Sequence, residues 1–216
     1  MTSHRIVFYT LTAVLMGTIV SSDALASRVV HIPISAANRT DNSNGFNTVE
    51  MRWDQDEVPD PLLLRWGKSQ VPVRASGLSP LTGAFDYALT RLTPGPQPTG
   101  TLSLFTMSSA SISTEGPSAA AALAIGFLAV LKGDRLIDGI ALTGTLESTG
   151  RIGQVRNIRE KIKAAGREGY RVLLVPRGQM YAPRVKLVGI GVEPNVVVRE
   201  VGTIDEAYEI MTGRRL

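Results

Sequence analysis

Residues 117–131 carry no charged side chain, and they sit between Pro117, suited to a first helical position, and Gly133, suited to a stop. An apolar helix of that length needs a hydrophobic core around it. The 216-residue chain can supply one: 44% of it is hydrophobic and 19% charged, a balance that excludes wholesale disorder. Its length suits one ordinary domain, or a domain with an appendage. That core must hold the fold without covalent help. There is no cysteine, hence no disulfide, no thiolate nucleophile and no cysteine-ligated zinc.

The first residues read as an export signal. His4 and Arg5 precede Ile6 to Val20, a run without charge, and Ala24-Leu25-Ala26 offers small residues at a cleavage site. That pattern predicts a signal peptide over 1–26, cut after Ala26, with an uncut membrane anchor as the alternative. The run is short for a permanent span, which needs about 20 apolar residues. The mature product is then expected outside the cytoplasm, periplasmic or extracellular. Removal of His4 leaves His31 as the one histidine and no pair for a metal site. Twenty-three Lys and Arg against 19 Asp and Glu give a formal net charge of +4, and no basic block interleaved with aromatics points to nucleic acid.

Along the mature chain, 27–75 reads as short strands and turns, with Val29 to Ile34 and Val49 to Trp53 as strands and Asn38 to Asn47 as a polar loop. Helical spacing runs over Leu78 to Leu92 and ends at the Pro94-Gly95-Pro96 cluster. Thr101 to Met107 is a predicted strand, Ser108 to Thr114 a loop, and Ile137 to Leu142, Val172 to Val175 and Val196 to Val201 further strands. An amphipathic helix begins at Ile158 and ends near Gly169. A last helix follows over Thr203 to Met211, with Thr203 and Glu206 spaced as a capping box. No repeat or linker divides the chain. The expected fold is a single compact α+β domain, close to α/β, with mixed sheets and packed helices over 27–216.

Two residues carry the chemistry. Ser118 falls one residue after Pro117, in a first helical turn whose backbone N–H groups lack helical partners. Those donors and the helix dipole favour negative charge on or beside a serine oxygen. The plain alternative is a serine near a helix cap. In the later helix, Ile158, Lys161, Ile162 and Ala165 share one face, so Lys161 is the one charged residue on the apolar stripe, while Lys163 points to water. A lysine there must snorkel, find an acid, or lose its proton. Lowering its pKa towards 7–8 costs roughly 4 kcal/mol, within reach of burial, and a neutral amine near a serine hydroxyl is a workable general base. The alternative is a stem packed on the core with its ammonium at the rim.

Together these segments resemble the proteolytic domain of the Lon proteases. Glu115-Gly116-Pro117-Ser118-Ala119-Ala120 is similar to the family's D-G-P-S-A-G serine motif. Gly150 to Lys161 is similar to the G-x-V-x-x-I-G-G-L-x-E-K lysine segment, and Ala141-Leu142-Thr143-Gly144 to A-M-T-G. The likeness runs from about Leu102 to Met211, making 101–216 the catalytic core, and is loose over 27–100. Glu115 stands for Asp, Ala120 for Gly, Arg156-Asn157 for a Gly-Gly pair and Thr145 for a glutamate.

The resemblance implies a serine endopeptidase with Ser118 as nucleophile, Lys161 as base, and Thr143 hydrogen-bonded to the lysine. Gly116 and Pro117 shape the turn, and Glu115 shapes or gates it. Family members usually carry an AAA+ ATPase. Here Gly67-Lys68-Ser69 is the only fragment of a phosphate loop, with Leu62 where its first glycine belongs. The expectation is therefore ATP-independent cleavage of flexible or unfolded polypeptides, with no cofactor, metal, nucleotide or nucleic acid and, by resemblance, a homo-oligomer, in the family a hexamer. The competing readings are a catalytically silent Lon-like oligomerisation or binding module, and a serine hydrolase with His31 as its base.

Overall fold

Alternation in the first two strands decides which side of the sheet the apolar helix covers. The computed structural model describes residues 27–38, 44–55, 62–67, 69–70, 80–107, 112–113, 116–180 and 196–216. Strand β1 (Arg28–Asn38) pairs antiparallel with β2 (Asn44–Asp54), Ile32 opposite Val49 and Ser35 opposite Phe46. Val30, Ile32 and Ile34 of β1 and Val49, Met51 and Trp53 of β2 point to one face and are buried. The two strands run further than the sequence pattern implies. Each takes in residues from the stretch 38–47 read as a polar loop, because antiparallel pairing is a backbone ladder that polar side chains do not forbid.

Strands β3 (Leu63–Trp66), β4 (Ser69–Gln70) and β5 (Thr101–Thr106) extend the sheet on the β2 side. On the other side of β1 come β7 (Ile140–Leu142), β10 (Val172–Pro176) and β11 (Val197–Val201), all parallel. Strand β6 (Ile112–Ser113), inside a stretch expected as loop, pairs with the end of β1. Among the described residues this makes one mixed nine-stranded sheet in the order β11-β10-β7-β1-β2-β5-β3-β4, with β6 beside β1. A separate hairpin joins β8 (Thr145–Leu146) to β9 (Ile152–Gly153). Gly67 sits at a positive φ in the turn between antiparallel β3 and β4, so the phosphate-loop fragment begins a hairpin turn.

Helices α1 (Pro80–Leu92), α2 (Ala120–Lys132) and α4 (Ile204–Thr212) pack on one face of the sheet, and α3 (Ile158–Arg167) on the other. Every residue from Ala120 to Leu131 is buried, so α2 is the central helix, closed by Gly133 in the left-handed conformation. Gly126 lets it lie close to the sheet: a Cβ there would meet Met51 Sδ at 2.8 Å and Ile32 Cγ2 at 3.0 Å. The second core, under α3, holds Phe46, Ala141, Ile158, Ile162, Ala164, Ala165, Leu173 and Val175. Strands with a core on each face need continuous apolar runs, which explains Val172-Leu173-Leu174-Val175.

The expected α+β domain with a mixed sheet and packed helices is what forms. Strand β7 starts at Ile140 rather than Ile137, since Gly139 takes φ 79° and the Ile137 N–H turns to the Met211 carbonyl. At α4, Thr203 Oγ1 accepts the Glu206 N–H at 3.2 Å. The Glu206 carboxylate takes the Gly202 N–H and the Arg177 guanidinium, which leaves the capping box half made. The signal expected over 1–26 lies outside the described residues. Replacing Gly126 by valine should cost about 1–3 kcal/mol of unfolding free energy in urea, because α2 cannot back away from β1 and β2. An unchanged midpoint would refute that close approach.

Candidate active site

The site is assembled where α2 begins and where β1 and β7, which run parallel, end. Gly116 takes extended backbone angles (φ −76°, ψ 129°) as the cap, Pro117 opens a short 3-10 turn over Pro117–Ala119, and α2 continues from Ala120. Pro117 has no N–H to leave unsatisfied at this position. Ser118, half-buried, lies in that turn. Its backbone is held by the segment after β7. Gly144 N–H donates to the Ser118 carbonyl at 2.9 Å, Thr143 Oγ1 donates to the same oxygen at 3.3 Å, and Ala121 N–H donates to the Gly144 carbonyl at 3.2 Å. Gly144 must be glycine for this clasp, because a Cβ would stand 2.3 Å from Ile152 Cγ2.

Lys161 approaches from the opposite layer. On α3, Ile158, Lys161, Ile162, Ala164 and Ala165 are buried and Lys163 is exposed, as the helical spacing predicts. Lys161 is only 5% exposed. Its Nζ donates to Ser118 Oγ at 3.4 Å and to Ser35 Oγ of β1. Burial is what moves its pKa, lowering it from 10.5 to about 8. An amine that sheds its proton this readily has a lone pair to offer a neighbouring hydroxyl.

The start of α3 explains one departure noted in the sequence. Asn157, at the N-cap, has φ 54° and ψ 41°, and it is the one non-glycine at positive φ among the described residues. Asparagine tolerates that conformation better than most side chains. A residue pair similar to Gly-Gly in the resembling motif is thus served by Arg156-Asn157, with Asn157 at the left-handed position.

Of the six residues singled out in the sequence, Ser118, Thr143 and Lys161 come together, and Gly116 and Pro117 form the turn that presents Ser118. Glu115 lies outside the described residues. Thr143 is fully buried, and its hydroxyl grips the serine's carbonyl where the resemblance implies a grip on the lysine amine. His31 is elsewhere. It lies four residues before Ser35 on β1, roughly 13 Å along the strand, and pairs with Glu50 at 3.4 Å. Ser35, 4% exposed, is the residue that sequence reasoning passed over. Alternation puts it on the face opposite Ile32 and Ile34, but only the packing of α3 reveals what covers that face.

A family model of the Lon protease (S16) C-terminal proteolytic domain matches residues 105–211. These residues belong to the Lon proteolytic family. The matched span contains Ser118, Thr143 and Lys161, and the Lon-type domain implies a serine peptidase. Curated relatives agree over shorter stretches. Lon protease 1 of Herpetosiphon aurantiacus is 36% identical over 63 residues, 29% of this chain and 8% of the relative. Lon protease of Haemophilus influenzae is 28% identical over 92 residues, 43% of this chain and 11% of the relative. Lon protease of Desulforamulus reducens is 37% identical over 65 residues, 30% and 8% respectively. The matched part therefore spans about a tenth of each relative's length. Among the described residues no cluster of His, Asp or Glu is placed to hold a metal ion, and no helix is long and apolar enough to cross a membrane.

The Lys161 environment has a measurable consequence for stability. Between about pH 8 and 10.5 the unfolded chain keeps the proton that folded Lys161 has shed, so stability rises with pH across that window. Below it, folding carries the full penalty of the buried amine. Relative to Lys161→Met, the native chain should gain about 3 kcal/mol of unfolding free energy from pH 7.5 to 10.5. Parallel stability curves for the two proteins would contradict the lowered pKa.

Proposed function

We propose that this Lon-type domain is a serine endopeptidase that cuts flexible or unfolded polypeptides through a Ser118–Lys161 dyad, without nucleotide. The observation that carries the reading is a buried lysine amine, with its pKa lowered to about 8, at 3.4 Å from a serine hydroxyl at a helix start. Neutral Lys161 takes the Ser118 proton as Oγ attacks the peptide carbonyl, forming a tetrahedral intermediate. The Ser118 N–H, in the first helical turn, stabilises the developing oxyanion. Lys161 then passes its proton to the leaving amine. Water, activated by the same amine, releases the acyl group and restores Ser118.

Thr143 and Gly144 serve this chemistry by fixing the serine's carbonyl, and through it the direction of Oγ. Nucleotide independence rests on the chain itself, whose one Gly-Lys-Ser fragment begins a hairpin turn between β3 and β4. On this nucleotide-independent reading, the substrates are segments already extended. The charged start, apolar run and Ala24-Leu25-Ala26 support action outside the cytoplasm, and the family resemblance supports assembly as a homo-oligomer.

Incubation of an unfolded reporter protein with residues 27–216, in the absence of nucleotide, tests the proposal. Native protein should cleave it, and Ser118→Ala and Lys161→Ala should each lower the rate by at least about 10³-fold. The base works only when neutral, so kcat/KM should rise with pH through about 8 and fall about tenfold per pH unit below it. Activity that survives either substitution, or a rate flat down to pH 5, would overturn the dyad.

A further inference from the structure

We propose that Ser35 is the positioning residue of the catalytic lysine, holding the Lys161 amine so that its lone pair faces Ser118. The proposal rests on the Ser118–Lys161 reading and adds a third hydroxyl that the family match does not cover, since Ser35 precedes residues 105–211. It gives the amino-terminal hairpin a role in the chemistry itself.

The geometry is simple. A neutral amine has two N–H bonds and one lone pair in tetrahedral directions, and rotation about the last C–N bond sweeps the lone pair around a cone. Lys161 donates to Ser35 Oγ, and that bond restricts the lone pair to the two remaining directions. Ser118 Oγ stands 3.4 Å from the same nitrogen, and the lone pair must take the direction towards it for proton transfer. Both Ser35 and Lys161 are nearly sealed from bulk solvent, 4% and 5% exposed. Ser35 is itself placed by the sheet. It pairs with Phe46 of β2, and it follows Ile34, whose partner across the parallel pairing is Leu142, the residue before Thr143. Thus β1 fixes the lysine and the end of β7 fixes the serine, and the two strands share a register.

The electrostatic surroundings make the effect of Ser35 separable. From α3, Glu160 and Lys163 face solvent, and Glu168 at its end accepts the Phe46 N–H of β2. From β1 and β2, the His31–Glu50 pair lies farther along the same face. From the other elements, the start of α2 contributes the Ser118 hydroxyl and the end of β7 contributes Thr143. Ser35 accepts a hydrogen bond from the amine and so favours its protonated form. Its removal therefore has two opposite signatures. The limiting rate falls because the lone pair is no longer aimed, and the acid limb of the pH profile moves to lower pH because the ammonium has lost an acceptor.

The test compares native protein with Ser35→Ala, Ser35→Thr and Lys161→Ala, reading reporter cleavage and thermal unfolding from pH 6 to 10.5. Ser35→Ala should lose roughly 10- to 100-fold in kcat at alkaline pH, with both the acid limb and the stability window of Lys161 moved to lower pH. Ser35→Thr, which keeps the hydroxyl, should recover most of both. A loss of rate with no move of either pH dependence, or no rescue by threonine, would overturn the positioning role. Native-like kinetics for Ser35→Ala, with cleavage abolished by Lys161→Ala, would leave the dyad intact and remove Ser35 from it. If the stability window moves but Lys161→Ala still cleaves, Ser35 positions the amine and the dyad reading is the one that fails.

Discussion

Burial of one amine organises this site. Taking a lysine nitrogen out of water penalises its charged form, and among the described residues the amine's hydrogen-bond partners are two hydroxyls, on Ser35 and Ser118, rather than a carboxylate. The fold meets that penalty with the apolar stripe of α3, whose Ile158, Ile162 and Ala165 seal against Phe46, Ala141 and Leu173. A chain with no cysteine and one histidine beyond residue 26 can lower a lysine's pKa in this way, by burial.

The serine beside this lysine is equally fixed. Helix α2, buried along its length, cannot shift without disturbing β1, β2, α1 and α4. Its first turn is clasped by Thr143 and Gly144, which follow directly from β7. Two layers on opposite faces of one sheet therefore meet at the ends of parallel strands, where side chains and backbone donors converge. The strain this requires is small and local. Among the described residues it includes Asn157, whose left-handed conformation starts α3, and the closeness with which Gly126 and Gly144 approach their neighbours.

Much of this was legible in the sequence where one periodicity dominates. Helical spacing placed Lys161 on the buried face and Lys163 outside. The Pro117 and Gly133 punctuation bounded α2 to within a few residues, and the unbroken apolar run at 172–175 marked a strand buried on both sides. What escaped was set by pairing rather than by pattern. The hairpin of β1 and β2 runs on into Asn-rich sequence because backbone hydrogen bonds ignore side-chain polarity. The two-residue strands at 69–70, 112–113, 145–146 and 152–153 are too short to show alternation. Ser35 shows only that it faces away from Ile32 and Ile34. Nothing local to β1 reveals that a helix more than 120 residues later will cover it with a lysine. The Thr143 hydroxyl turns to the serine's carbonyl, a choice made by tertiary geometry that no local pattern shows.

The central claim, that Lys161 gives up its proton near pH 8 rather than above 10, can be read at the atom concerned. Native protein labelled with carbon-13 at the lysine ε-carbons, with Lys161→Met for assignment, can be titrated by NMR. The Lys161 resonance should titrate near pH 8, well below the ordinary lysines near 10.4, and its midpoint should fall further in Ser35→Ala. A Lys161 resonance that titrates with the rest above pH 10 would mean that the amine is charged where it is asked to act as a base, and the account of this site would be wrong.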